Sequence, residues 1–243
     1  LEISGISFIG ASQLACVQDE LGKIYIYDYQ LEEVVHKVNF GEKGDYEDIA
    51  VVGNDAWIVR SDGKLYHVQN FASDNPKVEK YATPLTRENN AEGLCYDDQN
   101  QSLLILCKEN ATIEHGISYK NSRAVYEFDL KNKEFKPEAR YIIRLDALET
   151  IVEETTTTPS GNFAFRPSGI AINPLNRDVY IVSSVGKLLL TLSAKGEIKR
   201  VQKMSKKVNK QPEGICFNTA GDLFISNEGR KGKGNILWFK HEK

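Results

Sequence analysis

Little in this chain points to the commoner kinds of chemistry, and each absence narrows the field. No apolar run approaches the ~20 residues of a bilayer-spanning helix, so the sequence offers no helical span. Cysteine is scarce: four residues, Cys16, Cys95, Cys107 and Cys216, with no CxxC or Cys/His spacing that would hold zinc. Cys95 and Cys216 stand at one repeat position ("GLCYD", "GICFN") and Cys16 and Cys107 in second strands. That recurrence marks small buried hydrophobes, with a Cys95–Cys107 disulfide as the alternative. Neither sign of charge dominates: 31 Lys and Arg against 34 Asp and Glu leave −3, which gives no electrostatic footprint for nucleic acid. The one basic run, "KRVQKMSKKVNK" at 199–210, reads as a solvated outer strand and loop. No GxSxG, HExxH or P-loop occurs, and the four histidines sit at unrelated positions. "GRKGKG" at 229–234 has no helix after it and reads as a turn.

What is present is a repeat. "EISGISFI", "YEDIAVV", "AEGLCYD", "PSGIAIN" and "PEGICFN" each set a carboxylate or small polar residue just before a short apolar alternation. Glu2, Glu47 and Glu92 follow one another at 45 residues; Ser168 comes after 76 more and Glu213 after a further 45. A period of about 40–50 residues with several short strands per unit is the mark of propeller blades. In the second unit "DIAVV", "AWIVR", "KLYHV" and "KVEKYA" are strands parted by Gly/Asn/Asp turns, which makes antiparallel hairpins.

The spacing predicts an all-β fold: a five-bladed β-propeller forming a single domain over residues 1–243, with a short helical insertion. The long third unit absorbs two insertions, Lys108 to Ser122 and Arg144 to Asn162. The second has Leu145, Leu148, Ile151 and Val152 at helical spacing. Both are expected to project from the blades, so that deleting either leaves the fold intact. A degenerate sixth blade within 130–166 is the competing reading. The last unit stops after three strands, and its outer strand is expected to be missing unless residues before Leu1 supply it. A leucine is no natural start, so the chain reads as trimmed or processed.

In an antiparallel blade the start of the innermost strand and the end of the second meet at the same mouth. The second strands end in "QDE", "RSD", "KEN", "SSV" and "SNEG". Together with Glu2, Glu47, Asp48, Glu92 and Glu213 they make that rim dense in oxygen. Two carboxylates 4 Å apart repel by roughly 4 kcal/mol at an effective dielectric of 20. Several stay ionised together only with compensation, and calcium suits flexible carboxylate shells. The candidate metal ligands are therefore Glu47, Glu92 and Glu213, with Asp19, Glu109 and Glu228. Asp48, Arg60, Lys108, Ser168 and Asn227 are the candidate ligand contacts. The alternative is structural: each Glu accepts strand-start amides of a neighbouring blade and locks blade to blade.

With these segments laid out, the chain resembles the SdiA-regulated propeller family of bacterial envelope proteins. "EISGISFI…LACVQDELGKIYIYD", "GDYEDIAVVGNDAWIVRSDGKLY", "RPSGIAINP…VYIVSSVGKLLL" and "QPEGICFNTAGDLFISNEG" carry the likeness over nearly the whole length. The resemblance implies a five-bladed propeller related distantly to NHL-repeat and phytase-like propellers, with a calcium site. It also implies a periplasmic or membrane-anchored protein, the anchor lying upstream of Leu1. Two functions follow as expectations. One is a calcium-stabilised monomeric module that binds a protein, glycan or small molecule at one mouth. The other is a calcium-dependent hydrolase of phosphoesters or lactones.

Overall fold

The computed structural model describes residues 3–114, 116–155, 163–229 and 233–242. Its strands form five antiparallel sheets. Blade one holds β1 (Ile6–Gly10), β2 (Gln13–Cys16), β3 (Lys23–Asp28) and β4 (Glu33–Asn39). Blade two holds β5 (Tyr46–Val52), β6 (Asp55–Arg60), β7 (Leu65–Gln69) and β8 (Lys77–Tyr81). Blade three holds β9 (Ala91–Asp97), β10 (Ser102–Cys107), β11 (Ser122–Asp129) and β12 (Glu134–Arg144), and is followed by α1 (Leu145–Thr155). Blade four holds β13 (Arg166–Ile172), β14 (Val179–Val185), β15 (Leu188–Leu192) and β16 (Ile198–Lys203). Blade five has three strands, β17 (Pro212–Phe217), β18 (Leu223–Asn227) and β19 (Asn235–Phe239). The five-bladed propeller expected from the repeat is the observed architecture, and the described part of the segment considered for a sixth blade divides between β12, α1 and the approach to β13. Residues 156–162 of the second insertion fall outside the described residues.

The inner strands β1, β5, β9, β13 and β17 neighbour one another in that order, and β17 returns to β1. Closure lies in the inner strands. The Ser226 hydroxyl donates to the Ser4 carbonyl (2.8 Å) and accepts from the Gly214 amide (2.8 Å), tying blade five to blade one. Gly214 permits this approach, because a Cβ there would stand 2.6 Å from the Ser4 carbonyl oxygen. The core lies between blades, where inward-facing positions of successive sheets meet. Trp57, Phe128 and Tyr126, for example, sit with Leu103 and Ile105 between blades two and three.

Both insertions are packed, which corrects the expectation that they project. In the first, Ala111 and Ile113 are buried in the core of blades two and three. Its backbone is held by the Asn89 amide, which donates to the Asn110 and Thr112 carbonyls (2.9 Å each), and by the Tyr126 hydroxyl on Ala111 (2.6 Å). In the second, Leu148 and Val152 share a face of α1 and enter the core of blades three and four beside Tyr141, Phe165 and Leu190. An apolar helical face one turn long must be buried somewhere, and the groove between the two blades takes it. Leu148→Ala is accordingly expected to destabilise the protein by about 2–3 kcal/mol, the toll of a buried leucine cavity. Urea unfolding that changes by less than 0.5 kcal/mol (about the scatter of a surface substitution) would show the helix to be dispensable.

All four cysteines are free and buried. Cys95 lies opposite Leu104, and Cys107 opposite Ala91, so the two do not face each other. Burial pushes Cys16 and Cys107 up to about 12 and raises Cys95 and Cys216 well above the ordinary thiol value, so all four stay as thiols at neutral pH.

Candidate functional site

The register of each inner hairpin aligns the blades residue by residue. Val17, Val59, Leu106, Val182 and Ser226 lie opposite Gly5, Asp48, Gly93, Gly169 and Gly214. One position earlier on the inner strands stand Ser4, Glu47, Glu92, Ser168 and Glu213. Two positions later on the second strands stand Asp19, Ser61, Lys108, Ser184 and Glu228. These are two tiers around one end of the channel. The place assigned to Glu2 from its 45-residue interval belongs to Ser4; Glu2 itself lies outside the described residues.

A cavity of about 180 Å³ opens here. The whole upper tier lines it: Ser4, Glu47, Glu92, Ser168 and Glu213. Asp19, Lys108 and Glu228 of the second tier join them, with Asp45 and Gln211 from the strand approaches. Glu92 is 6% exposed, and its Oε1 accepts from the Lys108 ammonium (2.9 Å) and the Asn90 amide (2.7 Å). Gln211 donates to Glu228, and Ser168 donates to the Pro212 carbonyl (2.7 Å). The Ser61 hydroxyl fixes Asp45 at 2.5 Å.

Crowding in low dielectric shifts these groups strongly. Burial, then the charges of Glu92 and Asp45, push Glu47 up to about 10, with Lys108 pulling the other way. Burial lifts Glu213 to about 8 against the pull of Lys108, with Glu92 and Glu228 adding to the rise. Glu92 is raised as well, by burial, although Lys108 and Asn90 oppose it. Burial works against the Lys108 charge, but Glu92, Glu213 and Glu47 outweigh it and hold the ammonium above its ordinary value. At neutral pH the mouth therefore keeps Glu47 and Glu213 largely protonated beside the Glu92–Lys108 ion pair.

The donor set is oxygen-rich, as a hard cation requires. The resting arrangement is not a finished shell. Among the described residues no three His, Cys, Asp or Glu side chains form a group that could hold a metal ion. Lys108 stands on Glu92 where a cation would be drawn. The lining oxygens suit calcium by chemistry, but in this arrangement they do not stand as a coordination shell.

Other residues expected at this rim are elsewhere. Arg60 turns along its own hairpin to Asp62 and to the Tyr66 hydroxyl (3.2 Å). Glu109 pairs with Arg166 (3.0 Å) and does not line the cavity. Asn227 is 2% exposed, and neither its Oδ1 nor its Nδ2 has a hydrogen-bond partner among the described residues. Asp48 is the largest surprise. It replaces the glycine found at that place in the other four blades, and it lies beneath the cavity, 1% exposed. Its Oδ1 accepts the Ile49 amide (2.8 Å) and its Oδ2 the Leu94 amide (2.7 Å), with the Ile6 amide also directed at it. Gly5 makes room for it, since a Cβ there would lie 2.1 Å from Oδ1. Asp48 thus joins blades one, two and three. Burial raises its carboxyl well above the ordinary range, with the three amides opposing. A second cavity of about 170 Å³ lies between the inner strands, with Ile6, Ile49, Leu94, Ile170 and Ile215 among its lining residues. Asp45, Ser4 and Gln211 were not foreseen; the signal for Ser4 was its place before Gly5, and Asp45 and Gln211 share the position two residues before the upper tier.

Solved structures of similar fold cover nearly the whole chain. A glutaminyl cyclase from Myxococcus xanthus matches 99% of it and 91% of its own chain, at 13% identity and a TM-score of 0.60. A luciferin-regenerating enzyme matches 99% and 91%, at 9% identity and 0.58. A nidogen/laminin complex matches 97% and 75%, at 11% identity and 0.56. At such identities the likeness is one of fold. No curated protein matches the chain. The model of the SdiA-regulated family matches residues 2–230, a span that takes in the first four blades, β17 and β18 of the fifth and both tiers of the mouth, and the chain belongs to that family.

Proposed function

We propose that this propeller is a binding module of the bacterial cell envelope whose acidic mouth takes calcium and, beside it, a protein or glycan ligand. The observation that carries this reading is the meeting of Glu47, Glu92 and Glu213, from three blades, in one polar cavity with Asp19 and Glu228. Such crowding is unfavourable for the empty, ionised site and is relieved by a cation. Binding is favoured over phosphoester hydrolysis by the same wall. Lys108 is the one cation among its lining residues and is already paired, while Arg60 and Arg166 are engaged elsewhere.

Calorimetric titration of chelator-stripped protein with calcium chloride tests the proposal. Saturable heat is expected, with a rise in melting temperature. At a hundredfold excess over Kd the stabilisation is about 2.7 kcal/mol, or roughly 5–10 °C for a chain of this size. Absence of both at millimolar calcium leaves the blade-locking role for the glutamates.

A further inference from the structure

At the end of the blades opposite the mouth, two junctions follow one plan. Where blade five faces blade one, Phe224 stacks on its cross-strand partner Trp238, with ring planes 10° apart, and the indole N–H donates to the Asp222 Oδ2 (3.0 Å). Where blade two faces blade three, Trp57 stacks on its partner His67 (4.2 Å, 7°), whose Nε2 stands 2.8 Å from the Asp55 Oδ2. The hairpins that face these pairs are equivalent too. Gln13 pairs with Asp28 as Ser102 pairs with Asp129. The next amides, of Tyr29 and Leu130, donate to the carbonyls of Ser12 and Gln101 (2.9 and 3.0 Å). Three residues on, Glu32 and Lys133 take the same left-handed turn, at φ 58° and 59°.

The contents of the two junctions differ. At the first, the Tyr29 ring lies 4.9 Å from Phe224 and 5.1 Å from Trp238, centroid to centroid. At the second, Leu130 takes that place and a cavity of about 330 Å³ is left, with Val52, Trp57 and Leu130 as its apolar wall. That is a volume proper to a small-molecule site. Its edge has also changed sign: Lys131 and Lys133 line it, where blade one has Gln30 and Glu32. The Lys133 Nζ lies 4.6 Å from the centre of the Trp57 ring. Burial holds its ammonium below the ordinary value, against the charges of Asp55 and Glu79. Asp55 is the single carboxylate of the lining, and His67 and the Asn70 amide (2.9 Å) engage its two oxygens.

We propose that this cavity binds a small aromatic acid, one ring bearing a carboxylate, with the ring where Tyr29 lies at the other junction and the carboxylate on Lys131 and Lys133. The site is remote from the acidic mouth and does not depend on what the mouth binds. Two ammoniums against one engaged carboxylate draw an anion, and the anion gives half-desolvated Lys133 a charge partner. An aryl amine meets the opposite field. A carboxylate without a ring leaves the apolar wall in water and forgoes the gain from covering it.

Calorimetric titration of the whole chain with sodium phenylacetate tests this, beside 2-phenylethanol, phenethylamine and sodium acetate at equal ionic strength. Phenylacetate should bind saturably, with a Kd on the order of a millimolar or below. The neutral alcohol should bind at least about tenfold more weakly, lacking the charge-assisted bonds to the lysines. Acetate and phenethylamine should give no saturable heat. Leu130→Tyr, which supplies the ring from the chain itself, should abolish phenylacetate binding without lowering the melting temperature. Lys131→Gln with Lys133→Glu, which installs the blade-one residues in a turn that already holds them, should weaken it at least about tenfold. If Leu130→Tyr does not fold, the indole N–H signals of the parent answer in its place: that of Trp57 should shift as phenylacetate saturates while that of Trp238 stays. No saturable heat at millimolar phenylacetate overturns the proposal. So does binding that survives Leu130→Tyr, binding that moves Trp238 and not Trp57, or phenethylamine binding as tightly as the acid.

Discussion

Asp48→Ala should lower the stability of this propeller by about 3–6 kcal/mol, since each buried donor left without an acceptor costs about 1–3 kcal/mol. The amides of Ile49 and Leu94 lose their acceptor outright, and that of Ile6 loses the oxygen it faces. Asp48→Asn separates this from simple loss of volume. The amide keeps the shape but turns one acceptor into a donor pointed at a backbone N–H, so most of the loss should remain. Asp48→Gly restores the residue of the other blades and lets water reach the three amides, so it should be the mildest of the three. Thermal or denaturant unfolding reads the effect, as a fall of roughly 6–24 °C for Asp48→Ala at ~2–4 °C per kcal/mol. If Asp48→Asn unfolds like the parent, the carboxylate is not the pin between blades that its contacts describe.

The role of Asp48 marks the boundary of what the sequence disclosed. Period and turn chemistry are local, so the blades, the three strands of blade five among the described residues and the clustering of Glu47, Glu92 and Glu213 were all legible in the repeat. The interval from Glu2 misled by two residues, because connection lengths vary while hairpin register does not. Ser4, one place before Gly5, was the better anchor. Arg60 and Glu109 stand at the ends of second strands, but each found a nearer partner, Asp62 and Arg166, and pairing of that kind is invisible to spacing. Asp48 is adjacent to Glu47 and was grouped with it at the rim. The alternation of a strand sends successive side chains to different surroundings, and only the packing against Gly5 shows that this one points into the channel wall. The insertions were expected to project because they break the repeat. Ile113 and Leu148 are nonetheless enough to anchor them.

The same crowding of carboxylates that proposes a cation gives the empty mouth an opposite response to neutral substitution. Glu213 is held up to about 8 and Glu47 to about 10, both chiefly by burial, against about 4.3 in an unfolded chain. Between those values the folded state holds protons that the unfolded state has released, so stability must fall as pH rises. The contribution is complete below the unfolded value and is lost on passing through about 8 for Glu213 and about 10 for Glu47. Without calcium, the parent should therefore melt lower at pH 9 than at pH 6. Glu47→Gln and Glu213→Gln, fixed in a neutral form, should flatten that slope and exceed the parent at pH 9 by on the order of 1–3 kcal/mol, given 1.36 kcal/mol per pKa unit. With saturating calcium the order should reverse, because the cation favours the ionised carboxylates the variants lack. The parent then gains most at high pH and the variants gain little. Blade locking by the glutamates predicts something else: variants weaker than the parent at every pH, with or without calcium. A crossing of the two melting series on addition of calcium is thus the result that separates a cation site from a structural ring, and parallel series would rule the cation out.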